Sequence, residues 1–312
     1  MTDKNKGFFY AIAGSLLWGA SGTVAQYFFE NNAVATEWVV GVRLSTAGLL
    51  LLVWCLLTIP REVAGIFRSP ADFLQVLLFG LLGVLPSQFT YFMAIRLGNA
   101  PTATILQFLS PLFILVYLSV RHARLPRRID FLSIALALSG TYLLVTRGQW
   151  NQLALSPRAL FWGVLAGVSA ALYTLLPGKL LKHFDAKVVT GVAMVLSGSA
   201  FLPVLARTEL PEMTRNSWFS LAFIVVGGTM FAYLFYIQSL KYIAPSTTSM
   251  LSAFEPMTAT ILSVVFLGTA FGIPEIVGSL LIVSVTFLQA LPAKYLLGRR
   301  RGVGGRTEES AD

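Results

Sequence analysis

The stretch APSTTSMLSAFEPMTATILSVVFL, residues 244–267, is apolar over a length that crosses a bilayer, yet it carries a carboxylate near its middle. That residue, Glu255, is followed by Pro256. Proline removes a backbone donor and clashes with the preceding turn, so a helix here is expected to kink and leave carbonyl oxygens partly free at membrane depth. A charge beside such a kink is costly in lipid. It is expected to face a bundle interior or a water-filled cavity, and marks a functional site.

The stretch has an earlier echo. A shift of 145 residues lays Tyr91 on Tyr236, Arg96 on Lys241, Thr102 on Thr247, Leu106 on Leu251 and Pro111 on Pro256, with Ser110 in the place of Glu255. The same register sets Asp130 on Glu275 and Thr141 on Thr286. The chain therefore reads as two halves of similar sequence.

Composition agrees with a membrane protein. Of 312 residues, 56% are hydrophobic and 12% charged, about half the charge of a soluble domain. The lone cysteine, Cys55, excludes an intrachain disulfide, and two histidines, His122 and His183, are too few for a zinc cluster or a Cys/His nucleophile pair. No metal and no cofactor is expected. The net charge of +9 resides between apolar runs rather than on one face, which argues for membrane topology and against nucleic acid.

Hydropathy gives ten runs of spanning length, at 8–28, 37–57, 73–94, 99–120, 129–147, 158–178, 188–206, 218–240, 244–267 and 271–291. With an inside amino terminus, the inner segments hold 17 Lys and Arg residues and the outer segments 5. That bias predicts ten spans with both termini cytoplasmic. The expected fold is an all-α membrane protein of two inverted five-helix repeats, because an odd number of spans per half reverses the second half in the membrane. The boundaries are a cytoplasmic segment 1–7, repeats at 8–147 and 158–291, and a basic, disordered cytoplasmic tail at 292–312. No signal-peptide cleavage site ends the first run.

Candidate site residues follow from polarity and depth. In span 1, Gly14, Trp18 and Gly22 share a face; the glycines fit close helix contact, while Trp18 either lines a cavity or packs in the core. Spans 3 and 4 offer Gln88, Tyr91, Gln107, Ser110 and the second kink proline, Pro111. Span 6 offers Tyr173, with Trp162 nearer the outer end as an interface anchor. Span 8 offers Tyr233 and Tyr236, and span 9 the helically spaced Thr248, Ser252 and Glu255. Arg43, the one cation within a span, lies about 9 Å below the outer end of span 2 at ~1.5 Å per residue. Two readings of it stand: an ion pair with Glu255, for coupling or for structure, or outward snorkelling.

LLWGASGTVAQ in span 1, VVGVRLSTAGLLLL in span 2, PTATILQFLSPLF in span 4 and PSTTSMLSAFEPMTATILSVVFLG in span 9 resemble the drug/metabolite transporter superfamily, EamA type. The resemblance covers 8–291. It implies a ten-helix carrier of the bacterial inner membrane exporting amino acids, other small metabolites or amphiphilic drugs, with a cavity lined by spans 1, 3, 4, 6, 8 and 9. It also implies that the span 2 arginine and the span 9 Glu-Pro are family features serving the conformational cycle.

The expected function is secondary transport by alternating access, with export of a small amphiphile as the first reading. Import or facilitated movement of a quaternary amine such as choline, and an uncoupled channel-like pathway, are the alternatives. The expected partners are a small-molecule solute, the lipid bilayer and protons as candidate coupling ion, and a monomer is sufficient. No paired carboxylates point to an enzyme, and no phosphate-binding loop points to ATP drive.

Overall fold

Three of the connections announce their helices in sequence, pairing an N-cap side chain with a proline in the first turn, where its missing N–H costs nothing. Ser69 Oγ accepts from Asp72 N at 3.3 Å ahead of Pro70, Asn99 Oδ1 from Thr102 N at 2.9 Å ahead of Pro101, and Ser156 Oγ from Ala159 N at 3.1 Å ahead of Pro157. The structure, a computed structural model, describes residues 2–121, 128–149, 154–209, 211–243 and 245–290. The 292–312 tail and the inner residues His122, Arg124 and Arg127 lie outside them.

All regular structure among the described residues is helical. The first half holds α1 (Asp3–Asn31), α2 (Thr36–Thr58), α3 (Pro60–Arg68), α4 (Pro70–Phe79), a π-helical segment Gly80–Val84, α5 (Leu85–Leu97), α6 (Ala100–Gln107), α7 (Ser110–Arg121) and α8 (Arg128–Thr146). The second holds α9 (Pro157–Leu175), α10 (Ala186–Ser199), α11 (Leu202–Arg207), α12 (Arg215–Ala222), a π-helical segment Phe223–Phe231, α13 (Ala232–Ser239), α14 (Pro245–Leu251), α15 (Phe254–Leu267) and α16 (Ile273–Ala290).

Among the described residues, seven helical stretches are long and apolar enough to cross a membrane: Asp3–Asn31, Thr36–Thr58, Pro70–Leu97, Ala100–Arg121, Ile129–Thr146, Pro157–Gly178 and Arg215–Ser239. The other three expected runs contain shorter apolar helices, Ala186–Ser199, Phe254–Leu267 and Ile273–Gln289. Two are short because the run breaks within itself, at Ala200–Phe201 ahead of Pro203 and at Ser252–Ala253 ahead of Pro256. The helix α3 was not expected. Its nine residues are too few for a hydropathy window, yet they bury Val63 and Ile66 and leave Arg61 and Arg68 exposed.

The packing is pairwise. The helix α1 lies on α13 and α15, and α9 lies on α5, α6 and α7; α2 packs on α10, and α8 on α16. Where backbones meet, glycine permits it: a Cβ on Gly48 would stand 2.8 Å from Val195 N, and one on Gly198 2.7 Å from Ser45 N. Apolar side chains such as Leu57, Leu280 and Phe266 face outward at 81%, 65% and 74% exposure. A soluble monomer rarely shows such a surface, whereas lipid contact accounts for it.

The α8–α16 pair carries its own polar contacts. Glu275 is buried, ion-paired with Arg147, and accepts from Gly272 N at 3.0 Å. Its partner in the 145-residue register, Asp130, is also buried and accepts from Gln289 Nε2 at 3.3 Å. Neither contact was read from sequence.

Candidate functional site

Glu255 stands where the expected span 9 is interrupted rather than bent. The helix α14 ends at Leu251, Glu255 N donates to Ser252 O at 2.9 Å in a tight turn, and α15 restarts at Phe254. Pro256 is thus the third residue of a new helix, where no interior hydrogen bond is lost. Pro111 repeats the arrangement as the second residue of α7, after the break at Phe108–Leu109. The expected kinks are breaks because each proline sits in a first turn, the one place in a helix where it fits without strain.

An aromatic chain runs beside this break. The Trp18 ring lies 5.1 Å from Tyr233, edge-on, and 5.0 Å from Tyr236; Tyr173 lies 6.4 Å from Tyr233 and 5.3 Å from Phe79. Trp18, Tyr173, Tyr236, Ser252 and Glu255 are each partly accessible despite their depth in the bundle, while Tyr233 is buried. Gln88 Nε2 donates to Tyr233 Oη at 3.4 Å, and Gln88 Oε1 is buried with no partner among the described residues. These two residues are 145 apart, so equivalent positions of the two halves meet here.

The remaining candidates fall elsewhere. Tyr91 is packed away, its hydroxyl 2.9 Å from Thr104 Oγ1 and beneath Gly22. Gln107 is half-buried at the end of α6, immediately before the α6–α7 break. Thr248 is fully buried against Ser239, at 3.2 Å, so of the stripe only Ser252 and Glu255 are partly accessible. Trp162 packs on Phe89 at 5.5 Å within the bundle rather than serving only as an interface anchor.

Neither reading of Arg43 describes its geometry. The side chain is 4% exposed, so it does not snorkel, and no salt bridge joins it to Glu255 among the described residues. Its Nε instead donates to Thr229 Oγ1 at 2.5 Å, Nη2 lies 3.4 Å from Gly228 O, and the guanidinium stacks over Phe92 at 4.6 Å. Nη1 has no hydrogen-bond partner among the described residues. Arg43 and Glu255 remain within electrostatic range, with Tyr91 and Tyr233 in range of both. The sequence overlooked Thr229 because one threonine in FIVVGGTMF reads as helix glue; the available signal was Gly228, which the 145-residue register lays on Gly83.

The seam between α1 and α15 closes one side of the site. Gly19 lies against the Glu255 carbonyl, and Thr23 Oγ1 reaches Ala259 O at 3.2 Å and Ser263 Oγ at 3.1 Å. Farther along, Gln26 donates to Glu30 and Thr269 at 2.9 and 3.0 Å and accepts from Ala100 N at 2.9 Å. Its amide therefore ties α1 to the start of α6 and to the connection just after α15.

Outward apolar faces, interrupted spans and a half-buried carboxylate at a break define a multi-pass α-helical membrane protein with polar groups inside its bundle. The model of the EamA-like transporter family matches the chain twice, over residues 5–146 and 157–290. The uncharacterized inner membrane transporter YicL of Salmonella typhimurium is 33% identical over 94% of this chain and 98% of its own length. The uncharacterized transporter YwfM of Bacillus subtilis is 23% identical over 91% of this chain and 94% of its own. A protein of known crystal structure superposes on 95% of this chain and all of its own with a TM-score of 0.64 at 17% identity, which is a likeness of fold. The chain belongs to the EamA-like transporter family. It is a membrane transporter, multi-pass in the bacterial inner membrane.

Proposed function

We propose that the transporter exports a small amphiphile carrying an amine or ammonium group, by alternating access between two inverted five-helix repeats. The observation that carries this is the partly accessible Glu255 carboxylate beside the Tyr173–Tyr233–Trp18–Tyr236 chain. Aromatic faces with one carboxylate attract a cation, each face contributing ~0.5–2 kcal/mol as it is desolvated. Solute sites in inverted-repeat carriers lie where discontinuous helices meet, and the breaks in the fourth and ninth runs are matched. The pairwise packing supports the same symmetry: α2 with α10, α8 with α16, α1 on α13 and α15, α9 on α5, α6 and α7.

In this reading the three shorter apolar helices complete ten spans, both termini are cytoplasmic, and one chain suffices for transport. Glu255 is the coupling group, exchanging a proton for solute.

The test is thermal stabilisation of the purified protein by a panel of amino acids, quaternary amines and aromatic amines, since a ligand bound to the folded state raises its melting temperature. A cationic amphiphile should stabilise wild type and lose its effect in Trp18→Ala. Stabilisation by anionic or neutral compounds alone would overturn the cation reading.

A further inference from the structure

The two π-helical segments occupy equivalent places. Gly80–Val84 shifted by 145 residues falls within Phe223–Phe231, and each segment immediately precedes a helix bearing site residues, α5 with Gln88 and α13 with Tyr233 and Tyr236. A π turn places one extra residue in the helix, and its carbonyls are offset from the ordinary ladder. Leu85 N bonds Gly80 O and Ala232 N bonds Gly227 O, five residues back in each case.

Each segment is held from outside by one polar side chain of the opposite half. Ser197 Oγ on α10 lies between Ala193 O at 2.6 Å and Gly80 O at 2.8 Å, sharing its proton with the first-half segment. Arg43 on α2 donates to Thr229 Oγ1 in the second-half segment, and Thr229 passes the bond on to Ile224 O at 2.9 Å, again five residues back. The two helices that carry these side chains are themselves in backbone contact at Gly48 and Gly198.

We propose that Arg43 and Ser197 are a matched pair of positioning residues, each clamping the π-helical segment of the opposite half and coupled to one another through the α2–α10 unit. The clamps set where α5 and α13 begin, and so where Gln88, Tyr233 and Tyr236 stand. Losing one clamp frees the α2–α10 unit on that side. Because the unit is joined backbone to backbone, the other segment loosens with it. The inference rests on the register shared by the two π-helical segments and on these contacts, Arg43 and Ser197 being matched by what they hold rather than by register, and not on the nature of the solute.

Arg43 is too buried for its truncation to be informative, so the test uses Ser197→Ala and the near-isosteric Thr229→Val in lipid nanodiscs, read by backbone hydrogen exchange with mass spectrometry. Each variant should speed exchange at least about threefold in both 80–84 and 223–231, the population change that accompanies loss of a single hydrogen bond; Thr229→Val removes two, from Arg43 Nε and to Ile224 O. Ser197→Thr and Thr229→Ser, which keep the hydroxyl, should exchange as wild type. Faster exchange confined to the segment that lost its bond would overturn the coupling. Unchanged exchange in both segments, or failure of the hydroxyl-retaining variants to restore it, would overturn the clamps themselves.

Discussion

Replacing Gly19 by alanine tests the seam at which the site is built. The added Cβ would stand 2.7 Å from Thr258 Cβ and 3.0 Å from Ala259 N, with the Glu255 carbonyl closer still. Against the ~3.5 Å that carbon atoms need, the shortfall at Thr258 is about 0.8 Å, and two of the three obstacles are backbone that cannot rotate aside. The helices α1 and α15 must part by roughly that amount, at a cost of about 1–3 kcal/mol for overpacking. Parting them also shifts Glu255 relative to Trp18. Gly19→Ala should therefore melt several degrees lower in detergent and lose stabilisation by any solute that protects wild type. Gly178→Ala is the control: nothing lies within 4 Å of its added Cβ, so its melting should match wild type. A Gly19→Ala protein that melts and binds as wild type would refute the contact between α1 and α15, and with it this construction of the site.

Three further outcomes follow from polar contacts. Gln26→Leu strands the Ala100 N–H and the Thr269 hydroxyl and should cost about 1–3 kcal/mol in thermal melting. Glu275→Ala should cost about 0.5–1.5 kcal/mol, the net worth of its bond from Gly272 N, since Gly272 is itself exposed. Arg147→Gly should cost at least about 1 kcal/mol, because it leaves the Glu275 carboxylate, 5% exposed, without its cation, and the fit of glycine to the φ of 52° offsets only part of that loss. Glu255→Gln should fold and bind solute but lose its response to an imposed pH gradient in proteoliposomes; gradient-driven transport equal to wild type would remove Glu255 as the coupling group.

Much of the fold was legible because lipid imposes a strong pattern on sequence: apolar runs, charges between them, and a doubled register. That the helix is disturbed at Glu255 could be read from Pro256, though as a kink rather than the break that is found, and spacing left Trp18 open between cavity and core. What escaped were features set by tertiary contact. Tyr91 and Tyr236 are equivalent in sequence, yet Thr104 and Gly22 bury one while Trp18 meets the other. Periodicity could not reveal that Arg43 turns toward Thr229, since the acceptor is 186 residues away on another span. The π-helical segments were invisible for a related reason: one added residue in an apolar helix leaves hydropathy unchanged and is recognised by its hydrogen bonds.

Alternating access to the break in the ninth run is the central claim, and labelling of a single cysteine tests it most directly. Cys55 is buried and can be replaced by serine, leaving Ser252→Cys as the only thiol, half-buried beside Glu255. In oriented membrane vesicles, a membrane-impermeant maleimide applied from either face should label this cysteine, and saturation from one face should block labelling from the other. Labelling from one face only, with and without a stabilising solute, would contradict the account.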